Sequence, residues 1–357
     1  MATIGSASDD KAYLHHLLQM TVANQASDLH LMVGYRPTLR IDGELFAMAG
    51  EPMLDSDRVE KLTAVLAGKR RARFLREREI DLSYTFNHNE FRVNLYHQKA
   101  SPAASLRLIQ ARIGSLAELN LPESLKTIVN WHQGFVLVTG PTGHGKSTTV
   151  AALLEEINRV RCCHIVTIED PIEYRIEPIK SMISQRALEA DTLTWPRALR
   201  SCLREDPDVV FIGEMRDLQT IRTALTIAET GHLVFSTLHT NSAAETISRI
   251  VDVFPSTSRT YIQYQLANVL GMVISQRLVP AIPSGRVPAI EMLIATPAVR
   301  TLIREGRTHM IDNVVRTSSQ LGMCLLETYL TQLVKRGTIS PQNAARFALR
   351  PKELEGM

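Results

Sequence analysis

The chain has 357 residues, 45% of them apolar, which suits two domains with ordinary cores. Its 40 basic and 37 acidic side chains leave a net charge of +3, too balanced for a dedicated nucleic-acid binder, which carries a clear basic excess. No apolar run approaches the ~18 residues that span a bilayer, and the polar start MATIGSASDD lacks a charged-then-apolar signal pattern. The expected location is therefore the cytoplasm, with no direct membrane insertion. Cys162, Cys163, Cys202 and Cys324 contain no C-x-x-C pair and read as reduced thiols.

In chain order, Leu14, Leu17, Leu18 and Val22 share one face and predict a helix over 10–27. SDLHLMVGYRPTLRIDGEL then alternates as strands do, with turn signals at Gly34-Tyr35-Arg36-Pro37 and Asp42-Gly43. Lys69 to Arg78 is a charged helical run carrying Phe74 and Leu75, read as a solvated helix face. IDLSYTF, FRVNLYHQ and ASLRLIQ predict three more strands. Residues 1–112 thus make a small α+β domain, and Ala111 to Pro122 reads as the linker to a second domain, 113–357.

There the pattern changes. FVLVTG is a buried strand and Lys146 to Val160 a helix; HIVTIED and DVVFIGE are further strands. A helix runs from about Asp217 to Thr230, Gly231 ends it, and HLVFSTLHT is the next strand. Short continuous apolar runs alternating with helices predict an α/β fold with a mostly parallel sheet covered on both faces. The last ~70 residues read as helical.

Residues Gly140 to Ser147 fit G-x-x-x-x-G-K-[ST] at every fixed position, between a strand and a helix. In that setting successive backbone N–H groups form a concave anion site, and the helix N-terminus adds favourable field. The predicted nucleotide loop is Gly140, Pro141, Thr142, Gly143, His144, Gly145, Lys146, Ser147 and Thr148. Its glycines permit backbone angles that a Cβ resists. Lys146 would reach the terminal phosphates of ATP, and Ser147 would ligate Mg²⁺. His144 stands where small residues are common. Its ring is expected to point away from the phosphates, in a neutral structural role or with a modest pH effect on affinity.

A phosphate site needs acids for the metal and the attacking water. DVVFIGEMRD ends a strand at Glu214, the second predicted metal ligand, but Gly213 stands where an aspartate is usual. IVTIEDPIEY supplies Glu169 and Asp170 at another strand tip. Either glutamate could polarise water; Glu214 is preferred. GHLVFSTLHT places His232 and His239 at the two ends of one strand, and Thr237, His239 and Thr240 could sense the γ-phosphate.

These segments, in this order, resemble the secretion ATPase superfamily that drives type II secretion and type IV pili. GPTGHGKSTT is similar to its Walker A box, TIEDPIEY to its aspartate box, REDPDVVFIGEMRD to its Walker B box and TGHLVFSTLHTNSA to its histidine box. Within it the chain looks most like the pilus retraction ATPases, the PilT family. ASDLHL and RIDGEL resemble that family's N-terminal PAS-like domain. TPAVRTLIREG resembles its A-I-R-N-L-I-R-E motif, with Val299 and Thr301 as departures.

The resemblance implies a PAS-like domain followed by a RecA-like P-loop ATPase domain with C-terminal helices. It implies a homohexamer that turns ATP hydrolysis into pilus retraction at the cytoplasmic face of the inner membrane. An inner-membrane platform protein and a paralogous retraction ATPase are the implied partners. Arg92 and Arg107 match basic residues that the family brings towards ATP. In Thr296–Gly306, Thr296 suits an N-cap, Pro297 the first helical position and Gly306 the residue after the helix. Val299, Leu302 and Ile303 should bury one face, leaving Arg300 and Arg304 to solvent or a neighbour in a force-coupling role. Three alternatives stand beside retraction. An assembly or secretion ATPase usually carries a tetracysteine zinc site and additional N-terminal sequence, neither of which is seen here. The others are a non-hydrolysing nucleotide-dependent regulatory module and a nucleic-acid motor, the last opposed by the charge balance.

Overall fold

The computed structural model describes residues 7–41, 43–87, 89–109 and 112–354. Asp42 of the predicted turn, Ala111 of the predicted linker and the first six residues of the polar start lie outside them. The chain divides into two compact units, Met1–Arg112 and Ile113–Met357.

Unit 1 opens with helix α1 (Ala7–Ala23), followed by strands β1 (Asp28–Met32), β2 (Thr38–Ile41) and β3 (Glu44–Ala47). Helix α2 (Ser56–Ala67), for which the sequence pattern offered no element, comes next. Asp55 caps it by accepting from Arg58 N at 2.8 Å, and Gly68 closes it at φ +49°. The charged run resolves into a short 3₁₀ turn and helix α3 (Arg71–Glu77), which buries Phe74 and leaves Leu75 exposed. Strands β4 (Glu79–Phe86), β5 (Asn89–Gln98) and β6 (Ser101–Ile109) complete an antiparallel sheet ordered β3-β2-β1-β6-β5-β4. One sheet face and the helices share a core that includes Leu14, Leu17, Leu29, Leu62 and Phe91.

Unit 2 is doubly covered α/β. Its first elements are β7 (Gly134–Thr139), α4 (Lys146–Val160), β8 (His164–Glu169), β9 (Met182–Ala187) and α5 (Trp195–Cys202). Then come β10 (Val209–Ile212), α6 (Leu218–Glu229), β11 (Leu233–Leu238), α7 (Ala243–Asp252) and α8 (Ser256–Val269). A hairpin of β12 (Leu270–Pro280) and β13 (Arg286–Ile294) follows, then α9 (Pro297–Arg304), α10 (Ile311–Thr317), α11 (Leu326–Lys335) and α12 (Pro341–Phe347). The sheet order is β13-β12-β7-β11-β10-β8-β9, parallel throughout except for β13 against β12.

Strand alternation divides the core in two. Phe135, Leu137, Val210, Ile212 and Val234 join one cluster, while Val136, Val138, Val209, Phe211 and Phe235 join the other. Both faces are dry, which is why β7, β8, β10 and β11 read as continuous apolar runs. β9, α5 and β12 were not read from the sequence. The stretch expected to be wholly helical begins inside β13, because an apolar run of hairpin length looks alike in a strand and a buried helix.

The Thr296–Gly306 helix is capped as expected: Thr296 accepts from Val299 N, and Gly306 follows at φ +69°. Val299 and Ile303 are fully buried and Leu302 packs against the same core. Arg300 corrects the expectation of a side left to solvent or a neighbour. Its guanidinium donates to Asn268 O at 2.6 Å, Leu270 O at 2.8 Å and Ala295 O at 3.0 Å, and also to Ala267 O. These include carbonyls that the end of α8 leaves without helical partners, and a cation there also meets the negative end of the helix dipole. Arg304 makes one contact from the same helix, to Asn268 Oδ1 at 3.3 Å. Arg300→Ala should cost about 2 kcal/mol or more, since several carbonyls lose a charged donor at once. Arg304→Ala should stay within about 0.5 kcal/mol. Urea denaturation of the two variants beside wild type measures the difference; equal losses would contradict the capping role.

Candidate active site

Because β7, β8, β10 and β11 run parallel, their C-terminal ends meet on one side of the sheet. The four sequence boxes follow those ends. The loop 140–145 leaves β7 with Gly140, Gly143 and Gly145 at φ +139°, +78° and +80°, and Gly145 caps α4. Lys146 is buried at the first turn. Its Nζ donates to Gly140 O and Pro141 O, both at 2.9 Å, and lies 3.4 Å from His239 Nδ1. Burial lowers the ammonium's pKa, against the pull of Glu214 and Glu173.

His239 follows β11 and connects loop to acid. Lysine can only donate, so His239 Nδ1 is an acceptor; Thr142 Oγ1 approaches the same nitrogen at 3.3 Å. The other nitrogen, Nε2, then carries the proton and donates to Glu214 Oε1 at 3.0 Å. Arg216 Nε donates to that same oxygen at 2.8 Å. Burial pushes the Glu214 carboxyl up, but Arg216 and His239 outweigh it and hold the group below its usual range.

Glu169 ends β8 in a different environment. It is buried, with Oε1 accepting from Thr167 Oγ1 at 2.7 Å and from Gln185 Nε2 at 3.3 Å. Burial raises its pKa to about 7, against these hydrogen bonds. Gly213 packs on it: a Cβ there would lie 3.2 Å from Glu169 Cα and 3.6 Å from Glu169 Cγ. Any side chain at 213 would therefore start in tight contact with the backbone and stem of Glu169. Tyr174 of the aspartate box joins hydroxyls with Thr148, in the first turn of α4, at 2.7 Å, so the aspartate and Walker A boxes touch directly.

Other predicted residues lie elsewhere. Thr237 donates to Gly213 O, and Thr240 meets Thr246 Oγ1 of α7 at 2.7 Å. His232 precedes β11, and its Nδ1 approaches Ile227 O at 2.9 Å at the end of α6; a six-residue strand, about 20 Å, separates it from His239. His144 turns its ring to the sheet, where Nδ1 accepts from Leu278 N at 2.9 Å. Arg92 and Arg107 belong to unit 1, directly paired across β5 and β6; both are exposed, and Arg107 Nε donates to Asp28 at 2.9 Å. Sequence reasoning missed Arg216, Gln185, Tyr174 and Gln276. Arg216 and Tyr174 stand inside the recognised boxes and were within reach; Gln185 and Gln276 belong to unread strands.

Residues 8–346 match the family model described as Type II/IV secretion system protein. The chain is 45% identical to the type IV pilus retraction ATPase PilT of Pseudomonas aeruginosa, over 94% of this chain and 98% of that protein. It is 44% identical to a twitching motility protein of Neisseria gonorrhoeae, over 87% and 84% respectively. Among solved structures, the pilus retraction motor PilT with bound ADP superposes with a TM-score of 0.89 at 41% identity, covering 96% of this chain and 99% of that one. With a motif-bearing loop, two acids and a histidine at the C-terminal ends of neighbouring strands, similarity over nearly the full length establishes that the chain belongs to the type II/IV secretion ATPase superfamily and, within it, to the PilT family.

Proposed function

We propose that this protein is an ATP-hydrolysing motor that retracts a type IV pilus, acting as a homohexamer on an inner-membrane platform protein from the cytoplasmic face. The observation that supports it best is the Lys146–His239–Glu214 chain, which joins the phosphate loop to an ionised acid at the strand ends. The relatives named for pilus retraction and twitching support the mechanical output. A PilU-type ATPase of P. aeruginosa, 33% identical over 96% of this chain and 90% of that protein, is the precedent for a paralogous partner.

Mg²⁺ fits the donor set, since the Ser147 hydroxyl and the ionised Glu214 carboxylate are hard oxygen ligands. When bound it would neutralise charge on the β- and γ-phosphates. The chain's own residues do the rest in this reading. Lys146 exchanges its carbonyl partners for phosphate oxygens, and the loop amides hold the anion. His239 carries the state of the loop to Glu214. Glu169, as the carboxylate, takes the proton of the attacking water, because burial raises its pKa to about 7 while Glu214 is committed to cations. This exchanges the order that the sequence alone preferred. Arg92 and Arg107 are carried over as cations serving the γ-phosphate, with Asp28 orienting Arg107.

Glu169→Gln should lower the single-turnover hydrolysis rate by about 10²-fold or more while ADP affinity stays near wild type. Glu214→Gln should lower it less at saturating Mg²⁺ and should raise the Mg²⁺ requirement. The reverse ranking would return the base role to Glu214. In cells, loss of this gene should leave more and longer surface pili with no twitching. Bald cells would favour the assembly reading.

A further inference from the structure

The side of the phosphate loop away from the ligand is built by β12. β7 ends at Thr139, paired with Ser275, but β12 continues to Pro280. Beyond Ser275, β13 occupies one edge of β12, pairing Gln276 with Ile290 and Leu278 with Pro288. The other edge faces the phosphate loop, which takes the place of a strand. Leu278 N donates to His144 Nδ1 at 2.9 Å, and Gln276 Nε2 donates to His144 O at 2.9 Å. Gln276 Oε1 accepts from Thr149 Oγ1 at 2.7 Å, one turn into α4, and Gln276 is itself 2% exposed. A Cβ on Gly140 would collide with Gln276 O. His144 suits this duty because it is kept neutral, first by burial and then by the facing cations Arg277, Lys146 and Arg286. A protonated Nδ1 could not accept from Leu278.

Arg277 extends the same segment in two directions. Nη2 donates to Asn241 Oδ1 at 3.3 Å, two residues after His239, and Nη1 donates to Phe347 O at 3.0 Å, the last residue of α12. Ser275 Oγ also donates to Asn241 O at 2.9 Å. The Phe347 ring stands 6.4 Å from the His144 ring, centre to centre. Four consecutive residues, Ser275 to Leu278, therefore hold the phosphate loop, the segment behind His239 and the end of α12 together.

We propose that Gln276, Arg277 and His144 are positioning residues that shape the phosphate loop from behind and make nucleotide affinity and the docking of α12 mutually dependent. The proposal rests on the nucleotide-site reading above. Reciprocity is a thermodynamic requirement: if a docked α12 favours the binding-competent loop, nucleotide must favour the docked α12 to the same extent. None of the three side chains needs to touch nucleotide for this.

The test uses the full chain, ADP as ligand and calorimetry for affinity. His144→Leu keeps bulk but leaves Leu278 N–H without an acceptor, and should weaken ADP binding roughly tenfold. His144→Asn returns an acceptor near the position of Nδ1 and should recover affinity to within about threefold of wild type. Saturating ADP should slow amide exchange over 341–349 in wild type, and Arg277→Met should abolish that protection. Equal affinities for the Leu variant, the Asn variant and wild type would overturn the proposal. So would equal weakening in both variants, or exchange over 341–349 that ignores ADP in wild type. Lys146→Ala is the control: it should lose ADP binding whatever happens at His144. Wild-type affinity in that variant would overturn the site reading, and the coupling with it.

Discussion

The phosphate loop is shaped by a close approach that leaves no space for a side chain. At Gly140 the backbone takes φ +139° and lies so near Gln276 O that any Cβ would collide with it. That contact sets where the chain leaves β7, and so the direction of the loop amides that follow. It requires β12 to run alongside β7 and past it, which the parallel pairing of Met272–Ser275 with Val136–Thr139 provides. Lys146 and Ser147 enter α4 from a loop that β12 holds on its far side.

From that fixed point the placement of the acids follows by register. β11 pairs with β7 up to Leu238 opposite Thr139, which brings His239 beside the loop it contacts. β10 pairs with β8 as Ile212 opposite Ile168, which sets Gly213 beside Glu169 and puts Glu214 one residue beyond it. Two carboxylates one strand apart end in opposite conditions. Glu169 is enclosed by its own strand and β9, whereas Glu214 reaches out to Arg216 and His239. Environment separates their affinities for a proton, and the division of tasks proposed above rests on that separation.

Much of this was legible in the sequence because the signals are local. The loop spacing from Gly140 to Ser147, the apolar runs of β7, β8, β10 and β11, and the caps around Thr296 and Gly306 each depend on neighbours within a few residues. What was missed depends on distant partners. Gln276 contacts residues 127 and 132 positions away, and no motif marks it. Arg300 looked like a surface arginine on an amphipathic helix, yet its guanidinium reaches carbonyls at the end of α8, 30 or more residues earlier in the chain. Edge strand β9, with its half-exposed pattern, offered little apolar contrast. The unequal burial of Glu169 and Glu214 was unreadable for the same reason: burial is a property of the packed sheet, not of the tripeptide around each acid.

The two loop glycines Gly140 and Gly143 differ most in what surrounds them. Both have positive φ, +139° and +78°, but a Cβ on Gly140 would meet Gln276 O whereas a Cβ on Gly143 would meet nothing within 4 Å. The most direct measurement is the ADP dissociation constant of Gly140→Ala and Gly143→Ala, each purified as the full chain. If contact with β12 shapes the loop, Gly143→Ala should weaken binding about tenfold or less, the cost of a strained φ alone. Gly140→Ala should weaken it by about 10²-fold or more, because strain and collision add. Equal losses in the two variants would mean that the collision with β12 adds nothing, and would contradict the account.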